Sequence, residues 1–256
     1  MYREYPPENR LQDLIETYWV SDSIVDSRST HRILPDGCVD IIFNFTSNDG
    51  TGRLLPYIPH LVGTMTSYLD IAYSPGTVQM LGIRFHPAGI TAFTRIPVYE
   101  LTNKTTELVL TETLFEKSFY DRLPELSTMQ ERIAHIENYL IDRLQYLFIP
   151  EKRIGDAIEH ISNGNGLTSI KQIAEQVCLS ERQFERRFKT AVGISPKMFS
   201  RITKFKHTVN FIQAHQDDSL LSIAFDCGYF DHSHLIKDFR EFGGTLPSQL
   251  LLSKQH

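Results

Sequence analysis

Residues 179–188 read LSERQFERRF, and some fifty positions on, residues 229–239 read YFDHSHLIKDF. With a shift of 50 that becomes 51, Ile173 and Ala174 answer to Ile223 and Ala224, Phe184 and Phe188 to Leu235 and Phe239, and Gly193 and Pro196 to Gly244 and Pro247. A one-residue insertion in the turn accounts for the change of shift. Each copy reads as a helix starting near Ser169 or Ser219, a turn at 177–180 or 227–231, and a second helix. That is a helix-turn-helix written twice, over about 167–190 and 219–241. Apolar residues four apart on the second helix must face a core. The opposite face is then fixed as Arg182, Glu185, Arg186 and Lys189 in one copy and Ser233, Ile236, Lys237 and Arg240 in the other.

The residues around each copy agree with this. Ala174 and Ala224 let the two helices cross closely, Ser180 with Gln183 has capping-box spacing, and Gly228 and Asp231 suit a sharp reversal followed by an N-cap. Between the copies, 197–213 predicts one long helix with Phe199, Ile202, Phe205, Val209 and Ile212 as its apolar face. Such a helix would hold two reading heads at a fixed separation, ideally about one DNA turn, near 34 Å. Arg and Lys match the acceptors of guanine, Glu the amino group of cytosine, and Ile the thymine methyl. A charged helical face is by itself commonly no more than solvated surface; its place in a repeated helix-turn-helix makes it a reader. Base reading is expected of Arg182, Glu185, Arg186, His232, Ser233, Ile236 and Lys237. Phosphate neutralisation is expected of Lys189, Lys197, Arg201, Lys204 and Arg240.

Net charge at first points elsewhere. The 256 residues carry −5, whereas a nucleic-acid binder is usually basic. Residues 1–150 hold 12 Lys and Arg against 19 Asp and Glu, and the remainder 14 against 12. Within 181–206, eight cations face two anions, so the average conceals a basic patch. With 41% apolar residues the chain can bury a sizeable core without disulfides. The three cysteines, Cys38, Cys178 and Cys227, form no CxxC and suit a reducing compartment. No apolar run approaches a membrane span, and MYREYPPENR lacks the plan of a signal peptide, so a cytoplasmic protein is expected.

Residues 153–252 resemble the DNA-binding domain of the AraC/XylS family of bacterial transcription regulators. The resemblance is carried by IA at 173–174, LSERQFERRF at 179–188, GISP at 193–196, AFDCGYFDHSHLIKDF at 224–239, and Gly244 and Pro247. Lys204, Thr208 and Leu246 depart from residues common in that family. The first part is similar, through YW at 18–19, LPDGCVDIIFNF at 34–45 and GIRFHPAG at 82–89, to the sensory domain of a subset of these regulators. The resemblance implies a cupin-like β-barrel holding an effector pocket or a dimer interface.

The residues of that first part give a coarser picture. Leu11, Leu14, Ile15, Tyr18 and Trp19 space as one face of a helix after Pro6 and Pro7. Alternation over 38–46, a turn at 47–52, and runs at 68–73 and 77–85 around Ser74-Pro75-Gly76 read as a small sheet or barrel. From Thr106 onward the pattern is helical. Ile133, Ile136, Leu140, Leu144 and Leu147 make an amphipathic stripe over 129–148, which either packs on its own domain or pairs with a second copy as a homodimer seam. Ile149-Pro150 marks the boundary between a sensory domain, 1–150, and a DNA-binding domain, 151–256.

The fold class expected is therefore α+β in two domains: a small cupin-like β-barrel or sheet with flanking helices, then an all-α tandem helix-turn-helix domain. Asp36, Asp40, His60, Arg84 and His86 are polar residues in or beside apolar strands and are the candidate effector anchors. No P-loop, HExxH or GxSxG spacing occurs. His232 and His234, two apart on a helix, point to different sides and could not easily share an ion with Cys227 and Asp231. No cofactor, metal or catalysis is expected. The expected partners are double-stranded DNA, a small effector, RNA polymerase and a second copy of the chain. The rival reading is a cupin-like small-molecule-binding or metal-dependent enzyme domain fused to a DNA-binding module.

Overall fold

A computed structural model describes residues 1–46, 54–108, 114–144 and 148–252. The first part is built on a six-stranded sheet in the order β1 (Tyr2–Tyr5), β2 (Ile15–Val25), β7 (Gly76–Phe85), β4 (Val39–Asn44), β5 (Pro59–Val62) and β8 (Thr105–Glu107), antiparallel throughout. Strands β3 (Ser29–Ile33) and β6 (Leu69–Tyr73) pair separately as a two-stranded sheet. Among the described residues β1 and β8 do not pair, so of the barrel or sheet that was expected the structure has the open sheet. Closure depends on pairings between distant strands, which local alternation does not encode.

The two faces of the large sheet do different work. Tyr18, Val20, Ile41, Phe43, Leu81, Ile83 and Phe85 lie in one core with Phe115, Phe119, Ile136 and Leu140. On the other face Trp19, Val78 and Met80 form a smaller cluster with Ile42 and Tyr73. Trp19 sits opposite Gly82, where a Cβ would lie 2.0 Å from the indole ring. The helix expected from Leu11 to Trp19 is thus mostly strand. Only the turn before it is helical, with Ile15 N–H donating to Leu11 O. From Ile15 on, β-branched and aromatic residues pair with β7, and both faces of the strand are covered, so apolar neighbours Tyr18 and Trp19 point opposite ways.

After β8 come α1 (Lys117–Arg122) and α2 (Met129–Arg143), the latter started by a Thr128–Glu131 capping box. Thr105–Glu107 is strand, so the helical pattern starts later than expected. Ile133, Ile136 and Leu140 of α2 are buried in their own domain's core, the first of the two placements expected for the stripe. Leu147 and the turn at 47–52 lie outside the described residues.

The remainder of the described chain is helical: α3 (Lys152–Asn163), α4 (Ile170–Gln176), α5 (Glu181–Val192), α6 (Pro196–Ala214), α7 (Leu220–Asp226), α8 (His232–Asp238), a π turn over Phe239–Gly243, and α9 (Pro247–Leu252). The long α6, about 28 Å at 1.5 Å per residue, is the spine of a second core. Phe199 meets Phe188 edge to face at 5.5 Å, and Phe205 meets Phe239 at 5.0 Å and Phe242 at 5.6 Å. Each helix-turn-helix is thereby seated on its own phenylalanine of the spine.

Candidate nucleic-acid interface

Local chemistry starts each recognition helix. In α5 the Ser180 hydroxyl accepts from the Gln183 N–H at 3.3 Å, and the Gln183 side chain accepts from the Ser180 N–H at 3.2 Å. In α8 the Asp231 carboxylate accepts from the His234 N–H at 2.9 Å, which holds it below the usual carboxylate range. The turns before them pass through the left-handed region at Cys178 (φ 55°) and Gly228 (φ 72°), fifty positions apart.

With Phe184, Phe188 and Val192 buried, α5 exposes Arg182, Glu185, Arg186 and Lys189. Its remaining cation, Arg187, is turned to Glu151 at 2.7 Å. On α8, Leu235 is buried while His232, Ser233 and Lys237 are exposed and Ile236 is half-buried. Ser233, Ile236, Lys237, Arg240 and Glu241 line an open groove of about 590 Å³. All the sequence-derived base-reading candidates therefore reach the surface.

The phosphate candidates divide. Lys189, Lys197 and Arg240 are exposed. Arg201 is half-buried and donates to Asp238 at 2.6 Å and to Glu241 at 2.7 Å, and its guanidinium lies 4.8 Å from the Phe242 ring. Those carboxylates keep it charged despite burial. The Lys204 ammonium lies 3.9 Å over the Tyr229 ring, where burial lowers its pKa. Both side chains brace the second unit against α6, which nothing in their local sequence announces, since Asp238 and Glu241 lie some forty residues away.

Of the candidate effector anchors, three converge. Arg84 stands opposite Asp40 in the β4–β7 register, 3.3 Å from Asp40 and 3.5 Å from Asp36. Asp36 also accepts from the Cys38 N–H at 2.9 Å, and Trp19 Nε1 donates to Asp40 at 3.4 Å. Burial pushes the Asp40 carboxyl up to about 6, against the pull of Arg84. His60 lies apart and is satisfied: Nδ1 is 2.9 Å from Ile58 O, and Nε2 accepts from the Leu55 N–H at 3.4 Å. His86 follows β7 and is half-buried. Among the described residues no three His, Cys, Asp or Glu side chains are placed to hold a metal.

Contacts between the two parts went unseen in the sequence. Arg32 donates to Gly243 O and Gly244 O, and the Thr64 and Thr102 hydroxyls donate to Val192 O and Gly193 O. A cleft of about 480 Å³ opens beside Arg32, between Leu34 and Asp70 on one side and Phe205, Val209 and Phe239 on the other.

Residues 173–252 match a family described as a helix-turn-helix domain. They form a helix-turn-helix domain of that family. Residues 3–107 match a domain of unknown function, DUF6597. The chain is similar to the HTH-type transcriptional activator RhaS of Escherichia fergusonii, 33% identical over 85 residues, which are 32% of this chain and 29% of that protein. An uncharacterized HTH-type transcriptional regulator of Haemophilus influenzae is 28% identical over 135 residues, 52% of this chain and 45% of that one. The chain thus matches less than half the length of either relative. Among solved structures, ToxT from Vibrio cholerae aligns over 92% of this chain and 98% of its own, at 11% identity and a TM-score of 0.47. No helix among the described residues is long and apolar enough to cross a membrane.

Proposed function

We propose that this chain is a bacterial, cytoplasmic, non-enzymatic transcription regulator that binds double-stranded DNA by placing α5 and α8 in two adjacent major grooves. The observation that carries the reading is the duplication. Two recognition helices with buried phenylalanine or leucine faces turn charged and polar faces outward, on one continuous spine. Because the units are in tandem, a monomer reads a directional site. Arg182, Glu185 and Arg186, and in the second unit His232, Ser233, Ile236 and Lys237, read bases; Lys189, Lys197 and Arg240 neutralise phosphates, while Arg201 and Lys204 hold the second unit in place.

Residues 1–150 act as the sensory domain of this regulator and 151–256 as its reader. A small effector would act on that sensory domain, either at the Asp36–Asp40–Arg84 cluster or in the cleft beside Arg32. Dimerisation would use the solvent face of α2, and RNA polymerase would be met by surfaces away from the DNA. Selection of duplexes from a random pool tests the reading. The expected result is a site of two blocks about 10 base pairs apart. Enrichment of no sequence over background contradicts it.

A further inference from the structure

We infer that the amino-terminal domain positions both reading heads, gripping at matching points the carboxyl end of the first recognition helix and that of the π turn which continues the second; the inference rests on the DNA-binding reading above. Gly193 and Gly244 are equivalent under the 51-residue shift, and both end their helices in the left-handed conformation, with φ of 95° and 60°. The last carbonyls of a helix have no partner within it. At both ends the first domain supplies the donors. Thr64 Oγ1 donates to Val192 O at 2.6 Å and Thr102 Oγ1 to Gly193 O at 2.8 Å. Arg32 Nη1 donates to Gly243 O and to Gly244 O, each at 3.0 Å.

The absence of side chains at the two glycines is part of each grip. A Cβ on Gly193 would lie 3.1 Å from both threonine hydroxyls, and one on Gly244 would lie 2.5 Å from the Tyr68 ring. Arg32 is itself held for the purpose. Its cross-strand partner in the two-stranded sheet is Asp70, which takes Nε and Nη2 at 2.7 Å each, and its guanidinium lies 4.4 Å over Tyr68. None of these contacts covers Arg182, Arg186, Ser233 or Lys237, so the first domain constrains the heads without blocking them.

The two grips differ in kind. The first is neutral and buried at Thr64; in the second a guanidinium donates to backbone carbonyls and is oriented by its ion pair with Asp70, and because Arg32 and Asp70 are more than a third exposed that ion pair is open to screening. Arg32 is therefore a positioning residue for the second head. Rigid heads discriminate between sites that differ only in the spacing of their two blocks, and a loosened head discriminates less.

The test measures affinity for a duplex enriched by selection and for versions with one or two base pairs inserted between its blocks, compared at each of several salt concentrations, using the full chain. The ratio between native and lengthened spacing is expected to fall by about fivefold in Arg32→Ala, in the range of ordinary inter-site coupling, and to fall also in Asp70→Asn. Arg32→Lys is not expected to restore it, because an ammonium cannot hold the carboxylate in a fork and reach both carbonyls. Raising salt is expected to bring the wild-type ratio toward that of Arg32→Ala while leaving the variant's ratio unchanged. A wild-type ratio in Arg32→Ala at every salt concentration overturns the inference and leaves the DNA-binding reading standing. Failure of the wild-type chain to enrich any duplex overturns both.

Discussion

The two helix-turn-helix units share a plan but differ in how they are finished. The first ends in a regular twelve-residue helix whose outer face carries three cations, Arg182, Arg186 and Lys189. The second has a seven-residue helix that passes into a π turn, and its outer face carries Lys237 and Arg240 beside Ser233 and Ile236. Its inserted turn residue, Phe230, is 83% exposed, and Leu221 and Phe225 are exposed where the first unit has Lys171 and Glu175. Duplication preserved what the core requires and left the surfaces free to diverge: one outer face is mainly cationic, the other carries more exposed apolar side chains.

The cores should respond alike. Phe188→Ala and Phe239→Ala each remove a ring packed on the spine, and each is expected to cost about 3–5 kcal/mol in urea unfolding. A much smaller loss at Phe239 would show that the π turn collapses onto the cavity and that the two cores are not equivalent. The reading faces should respond differently. Arg186→Ala is expected to lose about 1–3 kcal/mol at one base position of a selected site, whereas a phosphate contact such as Lys189 should weaken all sequences evenly. Uniform loss from Arg186→Ala would break the assignment. Neutralising Arg182, Arg186 and Lys189 together should flatten the salt dependence of binding more than neutralising Lys237 and Arg240.

The turns give a finer contrast. Gly228→Ala puts a Cβ 2.4 Å from Leu167 in the left-handed region and is expected to destabilise by about 1–2 kcal/mol. Cys178→Gly, at the matching turn, relieves a similar strain at the entropic cost of glycine and is expected to gain about 0.5 kcal/mol. The smallest effect concerns the caps. Asp231 has a lowered pKa, so its contribution is present above the ordinary carboxylate range and is lost as pH falls through that lowered value. In an acid titration followed by NMR, the His234 amide should shift as Asp231 protonates, while the Gln183 amide, capped by Ser180, should not follow it.

The carboxyl-terminal half was legible because its information is local: helical periodicity, capping residues and a repeat that cross-checks itself. The exposure of Arg182 and Arg186 follows from the placement of Phe184 and Phe188 alone. The first half was less so. Leu11 to Trp19 satisfies a helical spacing and a doubly covered strand equally well, and only the pairing of Trp19 with Gly82, sixty-three positions away, separates them. Arg201 was expected at phosphates, and its pairing with Asp238 and Glu241 was not legible because those partners are contributed by a distant element. Arg32 gave no signal at all, since its meaning lies in carbonyls more than two hundred residues downstream.

Gly37, at φ 86° in the loop before β4, has no room for a side chain, because a Cβ there would lie 2.4 Å from the ring of Phe199 on the spine. A residue of the first half is thus shaped by a residue of the second. Transplanting residues 1–150 onto an unrelated helix-turn-helix domain would carry over the first half without the surface that Gly37 packs against. Gene fusions made at Pro150 should therefore fail as switches unless the incoming reader brings an aromatic ring at the position of Phe199 and glycines at the positions of Gly193 and Gly244.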